Sequence, residues 1–149
     1  MTTLYHFEDF KVGQRFGFGG YEVTKDEIVA FAQEFDPQPH HLYEEAGRHS
    51  ILGGLAASGW HVCAMSMRMF ADQFANQTAS RGGVGVEECR WMKPVRPGDV
   101  LHIEMEVEEI RILKSMPDAG IVKLRWNIFN QREQVASLTL LPIVNKRGT

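Results

Sequence analysis

The segment EFDPQPHHLYEEAG, residues 34–47, places a carboxylate, two prolines and two adjacent imidazoles close together in the chain. A carboxylate and an imidazole around one water can take a proton from it and deliver another, each role being worth roughly 10²- to 10⁴-fold in rate. Asp36 and His41 are the candidates. Pro37 and Pro39 fix two φ angles between them, so little entropy is lost when the segment presents both groups to a common point. Two other readings use the same residues. In one, Asp36 caps a helix or turn, Pro-x-Pro ends that segment, and His41 starts the next helix. In the other, His41, Glu45 and His49, spaced by four, share a helical face as metal ligands, with His40 and Glu44 on the neighbouring face. Gly47 weakens that helix, and no fourth ligand is evident. Spacing alone leaves all three open.

The elements that would position these groups are legible on either side. Thr24 followed by Glu27 has capping-box spacing, and Ile28, Phe31, Ala32 and Phe35 recur at helical spacing, which predicts a helix from Lys25 to Phe35. Pro37 stops it, because the residue before a proline is pushed out of the helical region. After a glycine-rich entry, LGGLAASG at 52–59, the run WHVCAMSMRMFADQF at 60–74 is apolar or small on nearly every side, the mark of a buried helix. Strand-like runs follow at 84–92, 100–113, 121–131 and 134–144, separated by KPVRPGD, KSMPDAG and a short polar stretch, a spacing that predicts antiparallel pairing. Residues 4–23 carry shorter β-like runs, LYHF and QRFGFGGYEV, broken by glycines that suggest a bend or bulge. Alternation along the second and third long strands gives the sheet one dry face, and the helix at 60–74 is the only long element apolar enough to fill it. The expected class is α+β, a curved antiparallel sheet around a central helix, as a single domain over 1–149.

Composition narrows the function classes. Hydrophobic residues at 44% and charged residues at 23% are those of a globular chain. The net charge is -3, and the 16 lysines and arginines are scattered, so nucleic acid is not an expected partner. MTTLYHFEDFKVG has no basic region followed by an apolar run, so no secretory leader is expected there. No apolar stretch approaches the ~20 residues of a membrane span. Cys63 and Cys89, the only cysteines, lie in apolar-rich segments and read as reduced packing residues of a cytoplasmic protein. GFGG at 17–20 lacks the spacing and context of a dinucleotide fingerprint, and no GxxxxGK phosphate loop is present. His61, Met65, Met67 and Met69 read as core.

The string DPQPHH, followed by GGLAASGWH and then KPVRPGD, resembles the MaoC-like hydratase and dehydratase family, which includes the (R)-specific enoyl-CoA hydratases, over nearly the whole chain. The resemblance implies a hotdog fold. In that family the loop reads Asp-x-Asn-Pro-x-His, and its acid and histidine add or remove water across the C2–C3 bond of an acyl thioester. Carried onto this sequence, the pair is Asp36 and His41. Gly59 matches the glycine at the start of the central helix, whose N–H would hold the thioester carbonyl as it gains enolate charge. Gln38, His40, Ser58 and Trp60 are the implied substrate-binding residues. Gln38 stands where asparagine is usual, Ser58 where histidine commonly precedes the glycine, and Tyr43 where an aspartate often follows the histidine. None of these departures removes the reacting pair.

The expected activity is reversible hydration of a trans-2-enoyl thioester, or dehydration of the 3-hydroxyacyl form, on coenzyme A or an acyl carrier protein. No cofactor or metal is implied, because the thioester itself acidifies the α-hydrogen, and the family resemblance implies a homodimer or higher homo-oligomer. A hotdog thioesterase is the enzymic alternative; it usually needs a carboxylate early in the central helix, and here none precedes Asp72. A non-catalytic acyl-thioester-binding or metal-binding module is the other.

Overall fold

The computed structural model describes residues 4–148. The sequence reading of Met1, Thr2 and Thr3 as part of a leaderless start lies outside them. Five strands, β1 Arg15–Glu22, β2 Ser80–Trp91, β3 Val100–Ile112, β4 Ala119–Phe129 and β5 Gln134–Asn145, form one antiparallel sheet in the order β1-β3-β4-β5-β2. Between β1 and β2 the chain makes four helices: α1 Lys25–Phe35, α2 Pro39–Leu42, α3 Glu44–Arg48 and the central α4 Gly59–Gln73. This is the α+β hotdog architecture, a sheet around a central helix.

Its core follows from two periodicities meeting. Along β3 the residues Leu101, Ile103, Met105 and Val107 alternate inward, and along β4 Val122, Leu124, Trp126 and Ile128 do the same. Against them α4 lays Val62, Met65, Met69 and Phe70 at helical spacing. Burying each such side chain is worth roughly 1.5–3 kcal/mol relative to leaving it exposed, so this face fixes where α4, and hence its N-terminus, must lie.

α1 has the bounds its periodicity predicts. Thr24 Oγ1 accepts from the Glu27 N–H at 3.2 Å, which is half of the capping box; the Glu27 carboxylate instead accepts from the Tyr21 hydroxyl. The glycine-broken β1 carries its irregularity between Gly19 and Tyr21.

Two expectations, and the helix assumed by the metal reading, are corrected. LYHF forms no strand: Tyr5 makes a single bridge to Thr78, and a 3-10 turn covers Phe7–Asp9. The segment 39–48 is not one helix, because Tyr43 takes an extended conformation and splits α2 from α3. The central helix is buried on one side only. Trp60 and Met67 are exposed, and with Val86, Leu138 and Leu140 they line an open apolar groove of about 510 Å³ beside β2. The all-round apolar pattern of α4 therefore covers both the core and this groove. Cys63 and Cys89, on α4 and β2, are free thiols with their Sγ atoms 3.7 Å apart. Burial, with Cys63 adding to it, pushes the Cys89 thiol up to about 12. Among the described residues no helix is long and apolar enough to cross a membrane.

Candidate active site

Asp36 is the residue that ends α1, and Pro39 opens α2 at the first helical position, where its fixed φ suits a helix start. The single turn of α2 carries His41 back over Asp36, so helix-ending and site-forming are one event. His41 is 7% exposed, and its Nε2 lies 3.5 Å from Asp36 Oδ2. On the other side of the ring, Nδ1 is 2.7 Å from the Ala56 carbonyl oxygen. A carbonyl only accepts, so Nδ1 carries the proton and Nε2 is the nitrogen that faces Asp36. A bare Nε2 and a carboxylate oxygen are both acceptors. They are compatible at that separation through a proton on Nε2 or a water that donates to both.

The carboxylate is held from three sides. Gln38 Nε2 donates to Asp36 Oδ1 at 2.6 Å. The Ser58 hydroxyl beside it, more than any other group, keeps the Asp36 carboxyl below the usual carboxylate range; the Gln38 amide, His41 and His40 act in the same direction, and burial opposes them. Ser58 Oγ is itself buried and makes no hydrogen bond of full geometry, so its influence on Asp36 is that of a neighbouring hydroxyl dipole. His40 packs its ring edge-to-face on His41, with centroids 4.2 Å apart.

Ser58 is also the N-cap residue of α4 and makes no side-chain cap hydrogen bond, so the first-turn amides of Gly59 and Trp60 are left to other acceptors. Gly59 is required by packing: an added Cβ would lie 2.3 Å from Trp91 Cε2. Trp91 in turn meets Trp60 edge-on at 5.2 Å. All seven residues singled out from the sequence, Asp36, Gln38, His40, His41, Ser58, Gly59 and Trp60, line one cavity of about 560 Å³.

The metal arrangement considered for this segment does not form. With the helix broken at Tyr43, His41 turns to Ala56 and Asp36, while Glu45 pairs with Arg48 and with His49 at 2.9 Å on the surface. Among the described residues no group of three or more His, Cys, Asp or Glu is placed to hold a metal ion.

The glycine-rich loop is positioned by contacts that spacing does not reveal. The Arg96 guanidinium, from KPVRPGD, donates to the Leu52 carbonyl and lies over Gly54. Ala57 N–H donates to the Val95 carbonyl at 2.8 Å, and the Gly54–Leu55 backbone passes so close to Gly47 that a Cβ there would sit 2.5 Å from Leu55 N. These contacts deliver the Ala56 carbonyl to His41. The same strand end brings Trp91, Met92 and Lys93 to the cavity. The sequence marks that stretch only as a strand end and a turn, and the Ala56 carbonyl has no side-chain signal at all.

A model of the MaoC-like domain matches residues 9–125, and the chain belongs to that family. It is similar to the uncharacterised protein YdeM of Bacillus subtilis (strain 168), 30% identical over 126 residues that make up 85% of this chain and 88% of YdeM. Among solved structures it resembles the MaoC-like dehydratase from Rhodospirillum rubrum, at 44% identity with a TM-score of 0.86, covering 97% of this chain and 99% of that one. The (R)-hydratase PhaJ1 from Pseudomonas aeruginosa shares the fold at 21% identity and a TM-score of 0.75, over 97% and 88% of the two chains.

Proposed function

We propose that the chain is a hydro-lyase acting on acyl thioesters, adding water across the C2–C3 bond of a trans-2-enoyl thioester or removing it from the 3-hydroxyacyl form. The observation that carries this reading is the clamp on His41: Nδ1 fixed by Ala56 at 2.7 Å and Nε2 turned to Asp36 at 3.5 Å, at a separation one water can bridge. In hydration Asp36, ionised because its carboxyl is held low, takes a proton from that water as the oxygen bonds to C3. His41, protonated at Nε2, gives that proton to C2, and the proton taken by Asp36 then returns to Nε2 across the 3.5 Å between them, which restores the pair for the next turnover. Dehydration runs the same steps backwards: neutral Nε2 takes the C2 proton and the Asp36 carboxyl protonates the departing hydroxyl. The enolate-like charge on the thioester oxygen is met by the Gly59 N–H at the N-terminus of α4, with nothing to rearrange during the reaction. Gln38 and Ser58 hold Asp36, while His40 and Trp60 face the substrate.

The carrier in this reading is coenzyme A or an acyl carrier protein, and the setting a reducing cytoplasm. The working unit is a homodimer formed through β2. That strand ends the sheet, every residue along it except Cys89 is exposed, and Val84 and Val86 stand out from it, with Val86 lining the apolar groove. An edge of this length and polarity pattern is ordinarily covered. A thioesterase is disfavoured by α4 itself, whose first carboxylate, Asp72, lies at the far end paired with Arg68.

Incubating the protein with a panel of trans-2-enoyl-CoA esters tests the reading. Loss of the conjugated-thioester absorbance without release of free thiol is expected. Thiol release in its place, or no change with any ester, contradicts it.

A further inference from the structure

The cavity has a floor and a mouth. His41, Ala57, Ser58, Val62, Val95 and Val135 are buried and form the floor, whereas Ile51, Trp60, Trp91 and Lys93 line the same cavity while exposed, which places them at its opening. Asp36 is the only acid in the lining and Lys93 its only Lys or Arg, in a chain whose net charge is -3. Most lysines and arginines of the chain reach a carboxylate within 4.0 Å. Arg96, next along the same turn, gives its guanidinium to the Leu52 carbonyl. Lys93 has no acidic partner among the described residues; Lys11 and Lys114 share that condition but lie away from the cavity.

Its position is fixed by the backbone. The N–H groups of Met92 and Lys93 both donate to the Val135 carbonyl, at 2.8 and 3.1 Å, and Pro94 follows Lys93 directly and keeps it out of a helical conformation. One residue further on, the Val95 carbonyl accepts from Ala57 just ahead of α4. The lysine is therefore anchored beside the helix N-terminus, and both present positive potential to the mouth.

We propose that Lys93 is the anion-recognising residue of this site, and that the group it takes is the phosphate at the outer end of a pantetheine arm. This rests on reading the cavity as a thioester site. A substrate whose reacting carbons reach Asp36 and His41 passes its sulfur by the N-terminus of α4, runs alongside the Trp60–Trp91 pair and emerges at the mouth by Ile51 and Lys93. Its terminal phosphate then meets an ammonium that has no competing carboxylate. Phosphopantetheine ends in that phosphate whether the arm belongs to coenzyme A or to a carrier protein.

Calorimetric titration with 4′-phosphopantetheine, coenzyme A and pantetheine tests this without turnover. The wild-type protein should bind the two phosphorylated ligands about tenfold more tightly than pantetheine, the scale of one charged hydrogen bond. Lys93→Ala should remove that difference and leave pantetheine binding and the melting temperature unchanged, and Lys93→Arg should keep most of it. Equal wild-type affinities for the three ligands, no binding of any of them, or a Lys93→Ala variant that binds phosphopantetheine as wild type does would overturn the proposal. An equal loss for pantetheine in that variant would overturn it too. A protein that shows the expected binding but hydrates no enoyl thioester contradicts the hydro-lyase reading and leaves the role of Lys93 standing. An active enzyme with unchanged affinities in Lys93→Ala contradicts only Lys93. With coenzyme A and carrier-protein thioesters compared at steady state, Lys93→Ala should raise KM and spare kcat for both.

Discussion

Behind the cavity floor the Ala56 carbonyl accepts a hydrogen bond from His41 Nδ1–H, and that one bond decides which nitrogen a water can meet. The Ser58 hydroxyl plays the matching part for Asp36, since it is the largest influence holding the carboxyl low. Ser58→Ala removes that influence while preserving size, so the Asp36 pKa rises and its basic form is lost at a higher pH as acid is added. The acid limb of the kcat/KM profile should move to higher pH, and turnover at neutrality should fall by less than ~10-fold. Superimposable acid limbs for the two proteins would contradict this role. Asp36, His41 and the small residues before α4 were legible in the sequence because their types carry chemistry. The Ala56 carbonyl and the grip of Gln38 on Asp36 were not, since a backbone acceptor has no side-chain identity and an amide's partner depends on how the chain turns at Pro37 and Pro39.

At the scale of elements, helix α4 and strand β2 meet where Gly59 receives the Trp91 ring. Alanine is the better helix former by up to ~1 kcal/mol, so any loss of stability in Gly59→Ala reports the clash. With ring atoms 2.3–2.8 Å from the new Cβ, the variant should lose both stability and turnover. Adding Trp91→Ala should recover part of the stability, with a coupling of about 1–3 kcal/mol in a denaturant double-mutant cycle. Simple additivity would mean the glycine answers to something else. Helix α1 packs on α4 through Phe31, stacked on buried His61 at 4.6 Å. Burial lowers the His61 pKa below its ordinary 6.5, so the unfolded chain binds a proton the native one refuses, and stability falls as pH drops below that value. His61→Phe should flatten the decline in melting temperature between neutral and mildly acid pH; an unchanged slope would place the acid sensitivity elsewhere. The bounds of α1 and, to within two residues, of β3, β4 and β5 were readable from period and breakers, whereas β2 begins at Ser80, four residues before the predicted run at 84, because Gly82 and Gly83 read as loop. The split at Tyr43 was not, because helical spacing from His41 to His49 continues in the sequence across a residue that is extended in the fold.

For the whole molecule, the sheet and the central helix were legible from the layer argument, but which strand ends the sheet was not, because pairing order depends on contacts between distant segments. That order leaves β2 at the edge with Val84 and Val86 exposed. If two copies join there, the wild-type protein should sediment at about twice its 16.9 kDa, and Val86→Glu, beside Glu87 and Glu88, should shift it to monomer with the fold retained. A wild-type mass of one chain would contradict the dimer. Whether Asp36 and His41 together move the protons of thioester hydration is tested most directly by comparing wild type, Asp36→Asn, His41→Ala and His40→Phe on one trans-2-enoyl-CoA, with melting temperatures alongside. Asp36→Asn and His41→Ala should each lose ~10² or more in turnover with little change in melting temperature, while His40→Phe should stay within ~10-fold and chiefly alter apparent affinity. Near-normal turnover in Asp36→Asn, or an inactive His40→Phe beside an active His41→Ala, would contradict the account.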